Sequence, residues 1–293
     1  MSAPSPPPSA PKAGLGRFLE IQTLGLNLPF ALAFLFLAAH GWPSVRAVVL
    51  VLIAFVAARN AGHSFNRWAD RRLDAQNPRT QGRALVTGER SPGFALGFTA
   101  ANAAVLVAAA YFLNPLAFLL APVALALILG YSYTKRVSAL TTAFLGLVQA
   151  ITPAAIYIAI QGTLPLDVLV AVAALLAWGT AFETVHSLGD LASDRVLGLY
   201  SLPVALGERA AVRLVPVLHA ATLVLLAVFG WRVGLSAPYF VALVAMAVVT
   251  AATDLDLARH PSEARIPFER HFLLSALYLA GVLVAVFLPS GVL

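Results

Sequence analysis

The sequence predicts an all-α, polytopic membrane protein, and three observations carry that reading. Of its 293 residues, 60% are hydrophobic and only 11% charged, with a mean hydropathy of +0.86; a soluble domain has about 45–50% apolar and about 25% charged residues. Apolar windows close to the roughly 20 residues that cross a bilayer recur nine times. All but three of the 19 lysines and arginines (Arg46, Arg59 and Arg232) fall in the N-terminal segment or in alternate connections between those windows. Basic residues gather on the cytoplasmic side of a membrane protein, so the N-terminus and the connections 2–3, 4–5, 6–7 and 8–9 are expected to be cytoplasmic, in a cytoplasmic (inner) membrane.

The predicted spans are residues 23–40, 44–65, 92–112, 115–132, 139–160, 165–187, 210–230, 237–254 and 272–289. Ahead of them, residues 1–19 begin MSAPSPPPSAPKAG, a Pro/Ser/Ala-rich run without apolar period, and read as a disordered cytoplasmic tail. Residues 20–293 then form one helical domain. Gly and Pro inside the spans are tolerated because neighbouring helices satisfy the freed backbone groups. Outward connections such as Asn114-Pro115 are short turns, whereas residues 67–91 form a long polar loop, a length more typical of a functional cap than of a passive link.

Several classes of function fall away. There is no cysteine, hence no disulfide framework or thiolate metal site. No P-loop, dinucleotide fingerprint or nucleophile elbow is present. The formal charge of +6 lies along membrane boundaries rather than in one patch, so no nucleic-acid partner is expected.

Two acidic motifs of the same spacing stand out: Asp70-x3-Asp74, led by Asn66, and Asp190-x3-Asp194. Carboxylates at i and i+4 share one helix face and repel, so each pair calls for a cation. Four spans separate them, which puts both on one side of the membrane. Facing each other, they would hold two hard divalent ions with a diphosphate between. Mg²⁺ takes oxygen ligands and commonly shares carboxylates with substrate phosphates. Arg67, Arg71, Arg79 and Arg83 then supply charge-assisted donors to phosphate oxygens. The plainer reading of the first motif is a solvated helix end with i,i+4 ion pairs.

Glu183 and His186 continue the second stripe upward into an apolar span. Ionisable groups there are costly and mark function; a snorkelling helix end accounts for Asp194 but not for Glu183. A third constellation, Tyr131-Ser132-Tyr133-Thr134-Lys135-Arg136, reads alone as an interfacial belt with basic anchors and, beside the two acidic motifs, as a phosphate site. Asp254 and Asp256 read as a solvated loop between spans 8 and 9, and His219 and His271 show no metal-ligand spacing.

Together, Asn66-x3-Asp70-x3-Asp74, Tyr131-x3-Lys135 and Asp190-x3-Asp194, within FNRWADRRLDAQNPRT, GYSYTKR and GDLASDRVLGLYSLPVALG, resemble the UbiA superfamily of intramembrane aromatic prenyltransferases. The likeness runs from about residue 20 to the end. It is strongest to bacterial 4-hydroxybenzoate-polyprenyltransferase-like proteins, especially the group assigned to futalosine-pathway menaquinone synthesis. The resemblance implies nine helices around a central cavity capped on the cytoplasmic side. It implies Mg²⁺-dependent transfer of a polyprenyl group from polyprenyl diphosphate to an aromatic hydroxy-acid, 4-hydroxybenzoate or a dihydroxynaphthoate. Asn66, Asp70 and Asp74 would ligate one Mg²⁺, and Asp190 and Asp194 the other. Arg79, Arg83, Lys135 and Arg136 would neutralise the diphosphate, with the Tyr131 hydroxyl beside them. Phe65, Trp68, Tyr133 and Phe182 are candidates to shield an allylic cation, and Glu183 is the candidate base. Glu183 stands where many members have Asp, His186 where many have Tyr, and Ala84 where Pro is frequent; the first two leave the acceptor open. A rival from another class is an ion- or proton-coupled transporter that uses intramembrane carboxylates.

Overall fold

The computed structural model describes Phe18, residues 24–261 and residues 265–288, with the backbone alone at 265–268. Among these, every regular element is a helix: α1 (Leu24–Ala38), α2 (Val45–Asp74), α3 (Pro92–Leu113), α4 (Pro115–Thr134), α5 (Thr141–Ala150), α6 (Thr152–Gln161), α7 (Leu166–Val196), α8 (Leu202–Leu206), α9 (Glu208–Arg232), α10 (Ala237–Arg259) and α11 (Arg265–Phe287). Among the described residues eight segments, not the nine expected, are long and apolar enough to cross a membrane, α5 and α6 counting as one; the apolar α1 has only 15 residues. Apart from Phe18, the predicted tail lies outside the described residues; Phe18 itself is buried edge-on against Phe94 at 5.7 Å.

The turns have local causes. Ser91 and Asn114 cap α3 and α4 by accepting from the N–H groups of Phe94 and Ala117, and Pro92 and Pro115 occupy the first helical turn, where the missing N–H costs nothing. Asn114 also donates to the carbonyls of Ile158 (2.7 Å) and Ala159 (3.0 Å) in the last turn of α6, where Ile158 also accepts from the Gly162 N–H. This predicted turn therefore also ties two hairpins together.

Three expectations need correction. The fifth span is not one helix: it breaks at Ile151. Pro153 has no N–H to offer the Gln149 carbonyl, and the Thr152 hydroxyl donates to that carbonyl instead at 2.8 Å. Helices α2 and α7 run on to Asp74 and Val196, well past their apolar stretches, so both acidic motifs sit on continuous helix. Asp254 and Asp256 lie on α10, not in a solvated loop. Two residues apart, they face different neighbours: Asp254 bonds buried His219 of α9 at 2.7 Å and Asp256 pairs with Arg270 of α11 at 2.6 Å. His219 continues to His271 at 3.2 Å, so the last three long helices are stitched by a buried polar chain.

The largest apolar core joins α1, α6, α7, α9, α10 and α11 around Trp178, which stacks on Phe182 and meets Phe30 edge-on at 4.9 Å. Helices α5 and α7 cross still more tightly. A Cβ on Gly146 would lie 2.8 Å from the Thr180 backbone nitrogen, and one on Gly179 would lie 2.9 Å from the Gly146 Cα. Glycine at both positions lets the two backbones touch, the usual basis of close helix contact in membranes.

Candidate active site

A cavity of about 860 Å³ runs through the bundle, lined from Val51 to Asp74 on α2 and by residues of α3 to α7. At 1.5 Å per residue its wall on α2 is about 34 Å long, close to the depth of a bilayer core. Leu106, Leu113, Ala121, Ile156 and Ile158 form apolar walls; Asp70, Asp74, Asp190, Asp194, Arg79, Arg83 and Lys135 gather at the basic end.

Helical period builds the α2 wall, since Arg59, His63, Asn66, Asp70 and Asp74 recur every three or four residues and all line the cavity. Asp70 is 1% exposed. Its carboxylate receives Lys135 Nζ at 2.6 Å, Arg136 Nη2 at 2.9 Å and Asn66 Nδ2 at 2.8 Å. Such a buried charge is tolerable only with cations and hydrogen bonds around it. Asp74 pairs with Arg83 Nη1 at 2.6 Å, and its carbonyl accepts from the Thr80 hydroxyl at 3.0 Å. The 75–90 connection thus folds back over the end of its own helix.

The same connection reaches the second motif. Arg79 makes a two-pronged contact with Asp190, Nε at 2.8 Å and Nη2 at 2.6 Å, and Asn77 Nδ2 donates to Asp190 at 3.3 Å. The expected cap is therefore a strap carrying cations to both acidic motifs. A second fastening lies opposite: the Tyr200 N–H donates to the Lys135 carbonyl at 2.9 Å, and the Leu202 N–H to the Thr142 hydroxyl at 3.1 Å. These bonds fix the Lys135 loop to the segment that follows Asp194.

Deeper in the cavity, Glu183 accepts from Gln149 Nε2 at 3.0 Å and lies 3.5 Å from His186 Nδ1. Tyr131 and Phe182 also line this region.

Most of the expected site residues converge here: Asn66, Arg67, Asp70, Asp74, Arg79, Arg83, Tyr131, Lys135, Glu183, His186, Asp190 and Asp194 all line the one cavity. Three do not. Arg71 lies on the other face of α2, donating to the Trp68 carbonyl at 2.7 Å with its guanidinium over the Trp68 ring; one residue after Asp70 is about 100° around a helix. Tyr133 is 45% exposed and packs edge-on against Phe65, two residues removed from the inward Tyr131. Arg136 approaches Asp70 from behind, bonding the carbonyls of Ala69 and Ser132. Of the four proposed aromatic shields only Phe182 faces the cavity.

Sequence reasoning missed Asn77 and Gln149, and noted Arg59 only as an intramembrane exception. A glutamine or arginine inside an apolar span was the available signal for two of them.

The donor set suits a hard cation, because carboxylate and amide oxygens dominate it. Among the described residues no three His, Asp or Glu side chains converge to enclose an ion by themselves. That arrangement fits Mg²⁺, which leaves coordination positions to water and phosphate.

The chain matches the UbiA prenyltransferase family over residues 27–277. It belongs to that family. Among curated relatives, 4-hydroxybenzoate octaprenyltransferase of Alcanivorax borkumensis is 30% identical over 236 residues, covering 78% of this chain and 81% of that enzyme. The enzyme of the same name from Shewanella piezotolerans is 34% identical over 188 residues, 64% of this chain and 65% of that enzyme. Among solved structures, the apo form of a UbiA homolog from Aeropyrum pernix K1 is 31% identical, covers 90% of this chain and 98% of its own, and superposes with a TM-score of 0.82. This UbiA-family chain is a membrane-embedded prenyltransferase, and the transporter alternative is set aside.

Proposed function

We propose that this enzyme transfers a polyprenyl group from its diphosphate to a hydroxyaryl carboxylic acid in quinone biosynthesis. 4-Hydroxybenzoate is the leading acceptor, and a dihydroxynaphthoate is a larger member of the same class. The observation that carries this reading is the polarity of this cavity. Two aspartate pairs and four cations crowd its mouth, and apolar walls continue for the depth of a bilayer. A molecule with a dianionic head and a long hydrocarbon tail matches that division, with about 0.8 kcal/mol gained per buried CH₂. The basic connections at the mouth support a cytoplasmic orientation in the inner membrane.

In this reading Asn66, Asp70 and Asp74 hold one Mg²⁺, and Asp190 and Asp194 another. The chemistry such ions would supply when bound is neutralisation of charge on the diphosphate. A UbiA homolog from Archaeoglobus fulgidus has been solved with dimethylallyl diphosphate and Mg²⁺, which supports a divalent ion here. Arg79, Arg83 and Lys135, now on aspartates, turn to phosphate oxygens, and Tyr131 adds a hydroxyl. Arg136 stays behind Asp70 and orients it. Arg67, buried in the same wall, adds positive potential.

The allylic C1–O bond breaks, its electron pair leaving on the diphosphate, while Phe182 presents an aromatic wall to the cation. A ring carbon ortho to the acceptor hydroxyl forms the new C–C bond to C1, and its proton passes to the Glu183 carboxylate. His186 flanks that carboxylate. Arg59, inside the apolar part of the cavity, offers a charged partner for the acceptor's carboxylate.

The test supplies purified protein with octaprenyl diphosphate, Mg²⁺ and either 4-hydroxybenzoate or a dihydroxynaphthoate, and follows product by mass spectrometry. C-prenylated acid is expected, and its loss in Asp190→Ala. No prenylated product from either acid, or an undiminished rate in that variant, would overturn the proposal.

A further inference from the structure

We propose that Phe18 is a positioning residue for the prenyl diphosphate: it fastens the strap so that Arg79 and Arg83 stay over the mouth of the cavity. This rests on the diphosphate site proposed above. There both arginines leave their aspartates for phosphate oxygens, so the ion pairs that now fasten the strap are given up on binding. Uncharged contacts must then hold it.

One such contact is the Thr80 hydroxyl on the Asp74 carbonyl at 3.0 Å. Another is an apolar cluster in which Phe18, Ala84 and Ala95 are buried and Trp68, Leu85, Phe94 and Phe98 pack against them. Ala84 and Leu85 directly follow Arg83, so the cluster grips the strap beside its second arginine. Turn bonds carry that grip along the chain. The N–H groups of Thr80 and Gln81 donate to the Asn77 carbonyl, that of Arg83 to the Thr80 carbonyl, and those of Val86 and Thr87 to the Arg83 carbonyl. Arg79, Arg83 and Ala84 therefore move as one unit.

The rest of the cluster is fixed. Trp68 belongs to α2 and Phe94, Ala95 and Phe98 to α3, and the Ser64 hydroxyl ties the two helices by donating to the Ala95 carbonyl at 2.8 Å. Phe18 comes from neither the strap nor these helices. Its ring is 4% exposed and meets Phe94 and Phe98 edge-on at 5.7 and 6.5 Å. Because Ala84 offers only a methyl group, the apolar area that holds the strap comes largely from the rings around it. Phe18 closes that group.

The experiment measures dissociation constants of geranyl diphosphate with Mg²⁺, on full-length protein in lipid nanodiscs. Wild type, Phe18→Ala, Phe18→Leu, Arg79→Ala and the double variant Phe18→Ala/Arg79→Ala are compared. Phe18→Ala is expected to bind about fivefold more weakly, the worth of one half-exposed charge contact. Phe18→Leu keeps most of the apolar bulk and should stay within about twofold of wild type. Because Phe18 acts through the strap, the double variant should lose clearly less than the product of the two single losses. A role in stability alone would give the full product. Unchanged affinity in Phe18→Ala, a Phe18→Leu as weak as Phe18→Ala, or the full product in the double variant would each overturn the proposal. If the wild type itself fails to bind geranyl diphosphate with Mg²⁺, the diphosphate site is wrong, and this inference falls with it.

Discussion

The two acidic motifs share a spacing but not a setting. On α2, Asp70 is sealed from solvent under Lys135, Arg136 and Asn66, and Asp74 is held by Arg83. On α7, Asp190 is gripped by Arg79, and Asp194 makes no ion pair among the described residues. The first pair is thus part of the bundle's internal electrostatics as well as of the site. The second depends on a strap residue whose side chain is 47% exposed and is far easier to rearrange. Equal sequence motifs therefore sit in unequal electrostatic settings, and in the proposed function they would carry unequal shares of stability and ligand binding. The α2 motif should fail in both when altered, the α7 motif chiefly in binding.

The largest expected effect comes from Asp70→Ala. It removes the carboxylate and leaves Lys135 and Arg136 without their buried counter-charge, a loss of about 3–5 kcal/mol. Thermal unfolding in detergent should fall well below wild type, with prenyl transfer abolished; a normal melting temperature would show that the α2 motif is no more structural than its counterpart. Asp194→Asn should instead keep its stability within about 0.5 kcal/mol while transfer drops on the order of a hundredfold, at a site built on charge stabilisation. Equal destabilisation by both variants would erase the distinction.

Arg79→Ala removes a charge-assisted donor that, in the proposed function, leaves Asp190 for a phosphate oxygen, a contact worth about 1 kcal/mol at this half-exposed position. Its effect should appear as a higher KM for the prenyl diphosphate, with that for the aromatic acid unchanged, in steady-state assays varying each substrate separately. The smallest effect belongs to Arg71→Ala, whose side chain stacks on Trp68 away from the cavity. Activity within about twofold of wild type is expected for a surface position of this kind. A large loss there would return Arg71 to the site.

Much of this was legible in the sequence because it rests on periodicity within one helix. The Asn66–Asp70–Asp74 stripe needs only the helical repeat, and so does the climb from Asp194 to Glu183. What could not be read depends on which neighbour a face meets. Arg79 finds Asp190 across 111 residues, a pairing that no local pattern encodes. Asp254 looked like a loop residue because its partner His219 lies on another helix. Gln149 gained meaning only when the Gly146–Gly179 contact brought Glu183 beside it. Arg71 and Tyr133 failed for the opposite reason: composition marked a basic, aromatic segment, but one or two residues of helix turn them away from the cavity.

In the proposed function the two carboxylate pairs hold a diphosphate through divalent metal. Titration calorimetry of geranyl diphosphate into purified protein, with Mg²⁺ and then with chelator, tests it most directly. Saturable binding is expected with Mg²⁺ and none after chelation, with about two ions taken up per diphosphate. Binding of equal affinity without metal would contradict it.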